Sequence, residues 1–354
     1  MQQDTTLELA LPRRGGWEAL GASAAVGVCL GRTIIWSGLP GDPPRGRPAA
    51  GAGVVGMLRA VALACRGRLR ASVGSTQASL VPGEVCHGTW EVEARGGGGL
   101  GPVGGAVGPL AGVLGLARGE SEVVLVGGTN VAPLPTAMML ARVVSGWVRR
   151  MGVVLEVVEV TPGFLPRCRG EMMVRVGGRG WVEPLRAEDA FRPRRVEVEV
   201  LSSRLPAHLG EGAQKAAMER LSARGYHAEG KLRRASSGDI GLVVLARAVD
   251  SAGRSVGFSA IGRRGGRPEA VGVEVAERLV EFLGCGAALP AWVAAQLIPV
   301  MAVASGVNRF SVDGLGAGLK AALEAVAVVH PGSVLITPRR EGGAEIRLKG
   351  AGAM

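Results

Sequence analysis

The stretch from Glu122 to Gly152 constrains this chain most. Val123-Val124-Leu125-Val126 is a short apolar run rich in β-branched residues, the pattern of a strand buried on both faces. Gly127-Gly128-Thr129-Asn130 breaks the run, and Pro133 and Pro135 stiffen the exit. From Thr136 to Met151 the spacing turns helical, with Met139, Val143, Val144, Trp147 and Met151 on one face. Arg142, Arg149 and Arg150 take the other side and the last turn, and Gly152 is the stop. A strand feeding a glycine turn and then a helix is a common unit of α/β folds. Such a unit builds polar sites, and it also builds plain connections.

The same order recurs along the chain. Thr5 to Leu11, Thr33 to Trp36, Arg70 to Val81 and Gly88 to Arg95 have strand patterns, and Glu18–Leu30 and Val54–Cys65 helical ones. A Gly-rich apolar helix over Pro102–Ala117 precedes the central motif, and strands at Val153–Val160 and Glu171–Val176 follow it. The sequence predicts strand, helix, strand, helix, strand, strand twice. A candidate third copy runs from Pro268 to Leu348, with helices at 271–284, 290–304 and 315–329 and strands at Ser333–Thr337 and Ala344–Leu348. Between the copies the texture changes. Arg195 to Ser202 alternates as an exposed strand, Gly212 to Ala223 is an amphipathic helix, and Gly241–Val249 and Ser255–Ile261 are strands joined by a turn at Asp250–Gly253. The expected division is a large domain over 1–182 and 266–354, with a small αβ domain inserted at 183–265.

Composition bounds the chemistry. The 354 residues suit two domains, and 47% hydrophobic content with only 3% aromatics requires a core of Val, Leu and Ala. The net charge of +11 and a pI near 10.5 fit a polyanionic partner, although Arg-, Gly-, Ala- and Val-rich usage is also the mark of a GC-rich genome. Five scattered cysteines show no CxxC spacing, which argues for a reducing cytoplasm and against a zinc site. Cys285 to Val307 carries no charge, but its prolines, Gln296 and many alanines predict a buried helix of a soluble core and no membrane span.

Catalytic signatures are sparse. Gly99-Leu100-Gly101-Pro102-Val103-Gly104 matches GxGxxG, yet glycines 127 and 128 stand where a ribose-binding acid belongs, and no Walker A loop is present. His87, His208, His227 and His330 have no metal-ligand spacing, and no nucleophile elbow exists. Basic turns are plentiful: Arg13-Arg14, Arg45/Arg47, Arg66/Arg68/Arg70, Arg167/Arg169 and Arg263-Arg264/Arg267 sit beside glycines, where guanidinium forks suit phosphate. The bland alternative for each is a solvated surface.

GGTNVAPLP at 127–135 and GFLPRCRGEMMV at 163–174 resemble the RNA 3'-terminal phosphate cyclase family. GFSAIGRRG at 257–265 and FLGCGAALPAWVAAQLIPVMAVASG at 282–306 extend the resemblance over nearly the whole chain. It implies an α/β (α+β) fold of repeated βαβαββ units, as in enolpyruvylshikimate-phosphate synthase, with a small inserted αβ domain. It further implies an ATP- and Mg2+-dependent conversion of an RNA 3'-phosphate to a 2',3'-cyclic phosphate through a histidine–AMP intermediate. By that resemblance Gln296, Trp292 and Pro133 would hold the nucleotide. Arg13, Arg14, Arg167, Arg169, Thr129 and Asn130 would meet RNA phosphate.

The chain departs from the family at reactive positions. The histidine position is Gly318, and His330 lies at the far end of the same helix. The N-terminal glycine loop, whose acid serves the metal, reads Arg13-Arg14-Gly15-Gly16-Trp17-Glu18, with Gly21 near the arginine position. Ala295 replaces the acid before Gln296, and Arg167-Cys168-Arg169-Gly170 keeps only the last glycine of its signature. Glycine offers no nucleophile. The expectation is therefore an RNA- or ribonucleoprotein-binding homologue, acting on 3' ends or ribosomal RNA, with ATP and Mg2+ needed only if the family activity is retained. The alternatives are a cyclase using a different nucleophile and a small-molecule transferase of the synthase fold.

Overall fold

A computed structural model describes residues 6–43, 49–96, 99–236, 238–340 and 342–352; Arg45 and Arg47 lie outside them. The first copy is β1 (Leu7–Ala10), α1 (Gly16–Cys29), β2 (Ile34–Ser37), α2 (Ala52–Ala64), β3 (Arg68–Arg70) and β4 (Gln77–Val81). The second begins with β5 (Thr89–Glu93), the short ribbon β6 (Arg95–Gly96) and β7 (Gly99–Leu100), a 3-10 turn at Gly104–Ala106, and α3 (Val107–Gly115). It continues through β8 (Arg118–Gly127) and α4 (Ala137–Met139), whose chain runs on as a π-helical turn (Leu140–Val144) into α5 (Ser145–Arg149). It closes with β9 (Val154–Thr161) and β10 (Gly170–Arg179).

The third copy opens with β11 (Arg186–Ala187). Before the next helix of that copy come β12 (Arg195–Ser203), α6 (Ala207–Ser222), β13 (Ala228–Ala235), β14 (Gly241–Val249) and β15 (Ser255–Ile261), which form a separate sheet with α6, and then α7 (Pro268–Leu283). The copy resumes with α8 (Ala291–Met301), β16 (Val307–Val312), α9 (Ala317–Val329), β17 (Val334–Pro338) and β18 (Ala344–Lys349).

Three sheets share one plan. Their orders are β1-β2-β4-β3, β5-β8-β10-β9 and β11-β16-β18-β17, and in each the first pair is parallel and the rest antiparallel. Repeated βαβαββ units are thus present in the three-dimensional structure. Strands such as β18 alternate buried and exposed residues, so the sheets cover one face and show the other to solvent. The helices are the inner layer: α3 is buried along its whole length, and α1 packs against α3, α8 and α9. Helices apolar on every side belong in such an interior. The uncharged stretch around α8 is one of them, and no helix among the described residues is long and apolar enough to cross a membrane.

Several sequence expectations are corrected. Arg70–Val81 is two strands with a turn between them, β3 and β4. The helix expected to open the third copy, α7, packs instead on α6, β14 and β15 of the insertion. On that packing we propose that the inserted unit runs from 195 to 283. Arg195–Ser202 is not an exposed strand. As β12 it sits between β13 and β14, and Glu197 and Glu199 are 2% and 3% exposed. The alternation was real, but both faces are covered.

The polar face of β12 is covered by the helical stretch 137–149 of the second copy. Arg142 bonds Glu199 through Nε at 2.9 Å and Nη2 at 3.2 Å, and Trp147 Nε1 donates to the Ser255 carbonyl at 2.7 Å. Arg247 bonds Glu197 and donates to the Arg142 carbonyl, while Arg150 donates to that of Ala252. The arginine side of the central helix therefore docks the insertion.

The turn after β8 is held from within. Thr129 Oγ1 and Asn130 Nδ2 each donate to Glu159 Oε1 at 2.5 Å, and Gly163 N donates to Thr129 Oγ1 at 2.9 Å. Glu159 shares the inward parity of Leu155 and Val157 on β9. Burial pushes its carboxyl above the usual range, against the opposing pull of those two donors and of Arg233.

Two outcomes test this framework. Arg142→Ala leaves Glu199 buried without its partner and should cost about 3 kcal/mol in chemical denaturation, whereas Arg142→Met with Glu199→Leu should cost far less. Glu159 has a raised folded-state pKa, so it contributes stability in acid that is lost as pH rises from about 4.5 through the folded value. Glu159→Gln keeps an acceptor for both donors, so its unfolding free energy should fall less steeply over that rise than the wild type's.

Candidate anion-binding cleft

Two helix starts meet where α1 packs against α9. α1 begins behind Gly15, whose φ of 77° is the left-handed conformation glycine adopts freely, and no side chain caps it. α9 begins behind Gly316, also without a side-chain cap. A Cβ on Gly15 would lie 2.5 Å from the Ala317 carbonyl oxygen, so the two turns are in backbone contact. A Cβ on Gly318 would lie 3.0 Å from Glu18 Cδ and 3.1 Å from its Oε1.

Other helix starts nearby are already occupied. Asp42 accepts from Gly53 N through both oxygens, at 3.1 and 3.2 Å, at the head of α2. Asp313 Oδ1 accepts from Ala291 N at 2.6 Å at the head of α8, and Thr136 Oγ1 accepts from Met139 N at 3.2 Å at α4. The N-cap glycines of α1 and α9 offer no side chain to their first turns, which keep the positive end of each helix dipole, and Glu18 accepts from its own backbone N–H in the first turn of α1. Arg13 and Arg14 are exposed in the turn just ahead of α1.

A narrow cleft of ≈ 10 Å³, room for about one water, lies between α1, α3 and α8, bordered by Trp17, Glu18, Gly105, Leu134 and Gln296. Trp17 seals one side: its Nε1 donates to the Gly41 carbonyl at 3.4 Å, and its ring lies against Gly53 and Gly105. Burial raises the Glu18 carboxyl above its ordinary pKa, against the opposing pull of its own backbone N–H. The arrangement favours an anion.

The residues expected at the site fall into groups. Gln296 lines the cleft, Gly318 packs on its Glu18, Arg13 and Arg14 are exposed in the turn ahead of α1, and Pro133 is exposed next to the buried Leu134 that lines the cleft. Trp292 is one turn before Gln296, half-buried, with Nε1 3.4 Å from the Gly257 carbonyl of the insertion. Thr129 and Asn130 are buried and committed to Glu159, so their side chains are not open to phosphate. Arg167 and Arg169 belong to the loop that Asp239 of the insertion ties down. Asp239 Oδ2 accepts from Phe164 N at 3.2 Å and Arg169 N at 2.7 Å, and its Oδ1 lies 3.4 Å from Arg169 Nε. Arg167 remains exposed. Cys168 faces Gly128, and burial together with Asp239 and Asp42 pushes its thiol up to about 12, so it is no thiolate nucleophile.

His330 is no substitute for a residue at 318, being roughly 18 Å along the same helix. Among the described residues no three His, Cys, Asp or Glu side chains are grouped to hold a metal ion.

Sequence reasoning missed the carboxylates that organise this region. Asp42 and Asp313 cap helices 11 and 22 residues away, beyond the reach of any local capping pattern. Glu159 did leave a signal, since Glu156 and Glu159 cannot both face outward on one strand. Asp239 left none.

Comparison with known proteins places these features. The family model for RNA 3'-terminal phosphate cyclase matches residues 52–331, which include Gly318 but not the Arg13–Glu18 turn. An RNA 3'-terminal phosphate cyclase of Methylococcus capsulatus is 33% identical over 277 residues, covering 76% of each chain. Those of Methanopyrus kandleri and Pyrobaculum neutrophilum are 27% and 29% identical, covering 85% and 68% of this chain and 86% and 69% of their own. With half the chain and more under the family model, and the repeated βαβαββ units on the page, this protein belongs to the RNA 3'-terminal phosphate cyclase family.

Proposed function

We propose that this chain binds RNA, at a 3' end or within ribosomal RNA or a ribonucleoprotein, in the cytoplasm and without histidine–AMP chemistry. The observation that carries the reading is Gly318: in the first turn of α9, against Glu18, there is no imidazole. What remains is an electrostatic receptor. The open first turns of α1 and α9 and the exposed Arg13 and Arg14 attract the dianionic end of a phosphorylated strand. The net charge of +11 supports the approach of a polyanion. ATP and Mg2+ belong to the function only if the family reaction is retained.

Binding should be measured by fluorescence anisotropy over a salt titration, with the same RNA ending in a 3'-phosphate or a 3'-hydroxyl. The phosphorylated strand should bind more tightly, with strong salt dependence. Arg13→Ala with Arg14→Ala should weaken it about tenfold and reduce the salt slope by about 1.4, the value for two single-strand phosphate contacts. Salt-insensitive binding, or none, would overturn the reading.

A further inference from the structure

A second basic site lies at the opposite end of α2. The C-terminus of α2, the edge strand β3 of the first sheet and the edge strand β5 of the second enclose a groove of ≈ 720 Å³. Arg59, Arg66, His87 and Trp90 line it, together with apolar Leu63 and Leu69, and no acidic residue does. Arg59, Arg66 and His87 are exposed and Trp90 half-buried. Neither arginine is in an ion pair among the described residues.

Arg66 is held there at a conformational cost. Arg66 N donates to the Leu63 carbonyl at 3.3 Å and Gly67 N to that of Ala62 at 2.8 Å, the bonds of a Schellman ending for α2. That ending needs a left-handed residue, and Arg66 adopts φ 46° where glycine would be unstrained. Part of the arginine's benefit is its charge at a helix C-terminus. The groove adds what the dipole does not explain: a second guanidinium, an imidazole and an indole, with no carboxylate. Guanidinium groups beside an aromatic ring suit the phosphates and bases of a single strand.

We propose that this groove binds single-stranded RNA upstream of the end held at the α1/α9 cleft. The inference rests on the reading given under Proposed function. Gly53, at the head of α2, lies against Trp17 of the cleft, and α2 runs 13 residues, so the two sites are about 20 Å apart. At ~3.4 Å per stacked nucleotide, about six nucleotides span them. A trinucleotide reaches one site and a 12-mer reaches both.

The test uses the full chain with Arg59→Ala and Arg66→Gly combined, and 3'-phosphorylated RNAs of 3 and 12 nucleotides in anisotropy titrations. Arg66→Gly relieves the left-handed strain, so the melting temperature should not fall, and a loss of binding will not come from unfolding. The proposal predicts at least tenfold weaker binding of the 12-mer, a salt slope lower by about 1.4, and an unchanged trinucleotide. If Arg13→Ala/Arg14→Ala weakens the 12-mer and the groove variant does not, the groove is overturned and the cleft reading stands. The reverse pattern overturns the cleft and keeps the groove. If neither RNA binds the wild type, both fall.

Discussion

The inner helices touch through backbone, and the rest of the architecture depends on that approach. A Cβ on Gly112 would lie 2.6 Å from the Pro299 carbonyl oxygen, and one on Gly108 would lie 2.8 Å from that of Gln296. At such separations α3 and α8 leave no space for a side chain, and a larger residue must push the layer apart. The close approach recurs where α1 meets α9, at Gly15, whose Cβ would lie 2.5 Å from the Ala317 carbonyl oxygen. Glycine at 318 therefore has two consequences. It removes any nucleophile from the first turn of α9, and it lets the Glu18 side chain pack about 3 Å from where a Cβ would stand.

The placement of carboxylates then sets the electrostatics. Asp42 and Asp313 neutralise the heads of α2 and α8, Glu159 takes both donors of the turn after β8, and Asp239 anchors the loop that carries Arg167 and Arg169. Each acid is spent on donors within the frame, and Asp239 also pairs with Arg169. The heads of α1 and α9 keep their positive ends, with Arg13 and Arg14 in front of them. In a chain with so few aspartates, this selective capping decides where an anion can dock.

How much was legible follows from the range of each interaction. The repeated copies were readable because strand and helix periodicity is local, and β14 and β15 fall at Gly241–Val249 and Ser255–Ile261 as the pattern predicts. The apolar stretch around α8 could be assigned to an interior because its prolines and alanines suit helix packing better than lipid. The two-residue β11 and the charge-rich β13 lack any periodic apolar signal. The fate of Glu197 and Glu199 was hidden, because the helix carrying Arg142 reaches them from 57 residues away in the case of Glu199. Gly318 and the Arg13-Arg14 turn were marked by the family resemblance, and their role at the cleft belongs to the proposal. The cleft's closure by Trp17 and its bordering acid Glu18 depended on tertiary packing.

The central claim is that the inherited frame survives without the covalent chemistry. It is tested most directly by incubating the protein with labelled ATP and Mg2+, with and without a 3'-phosphorylated RNA, then resolving protein and RNA under denaturing conditions. The account predicts no protein–AMP adduct and an unchanged RNA 3' end. A stable adduct, or a 2',3'-cyclic phosphate formed in step with enzyme concentration, would contradict it.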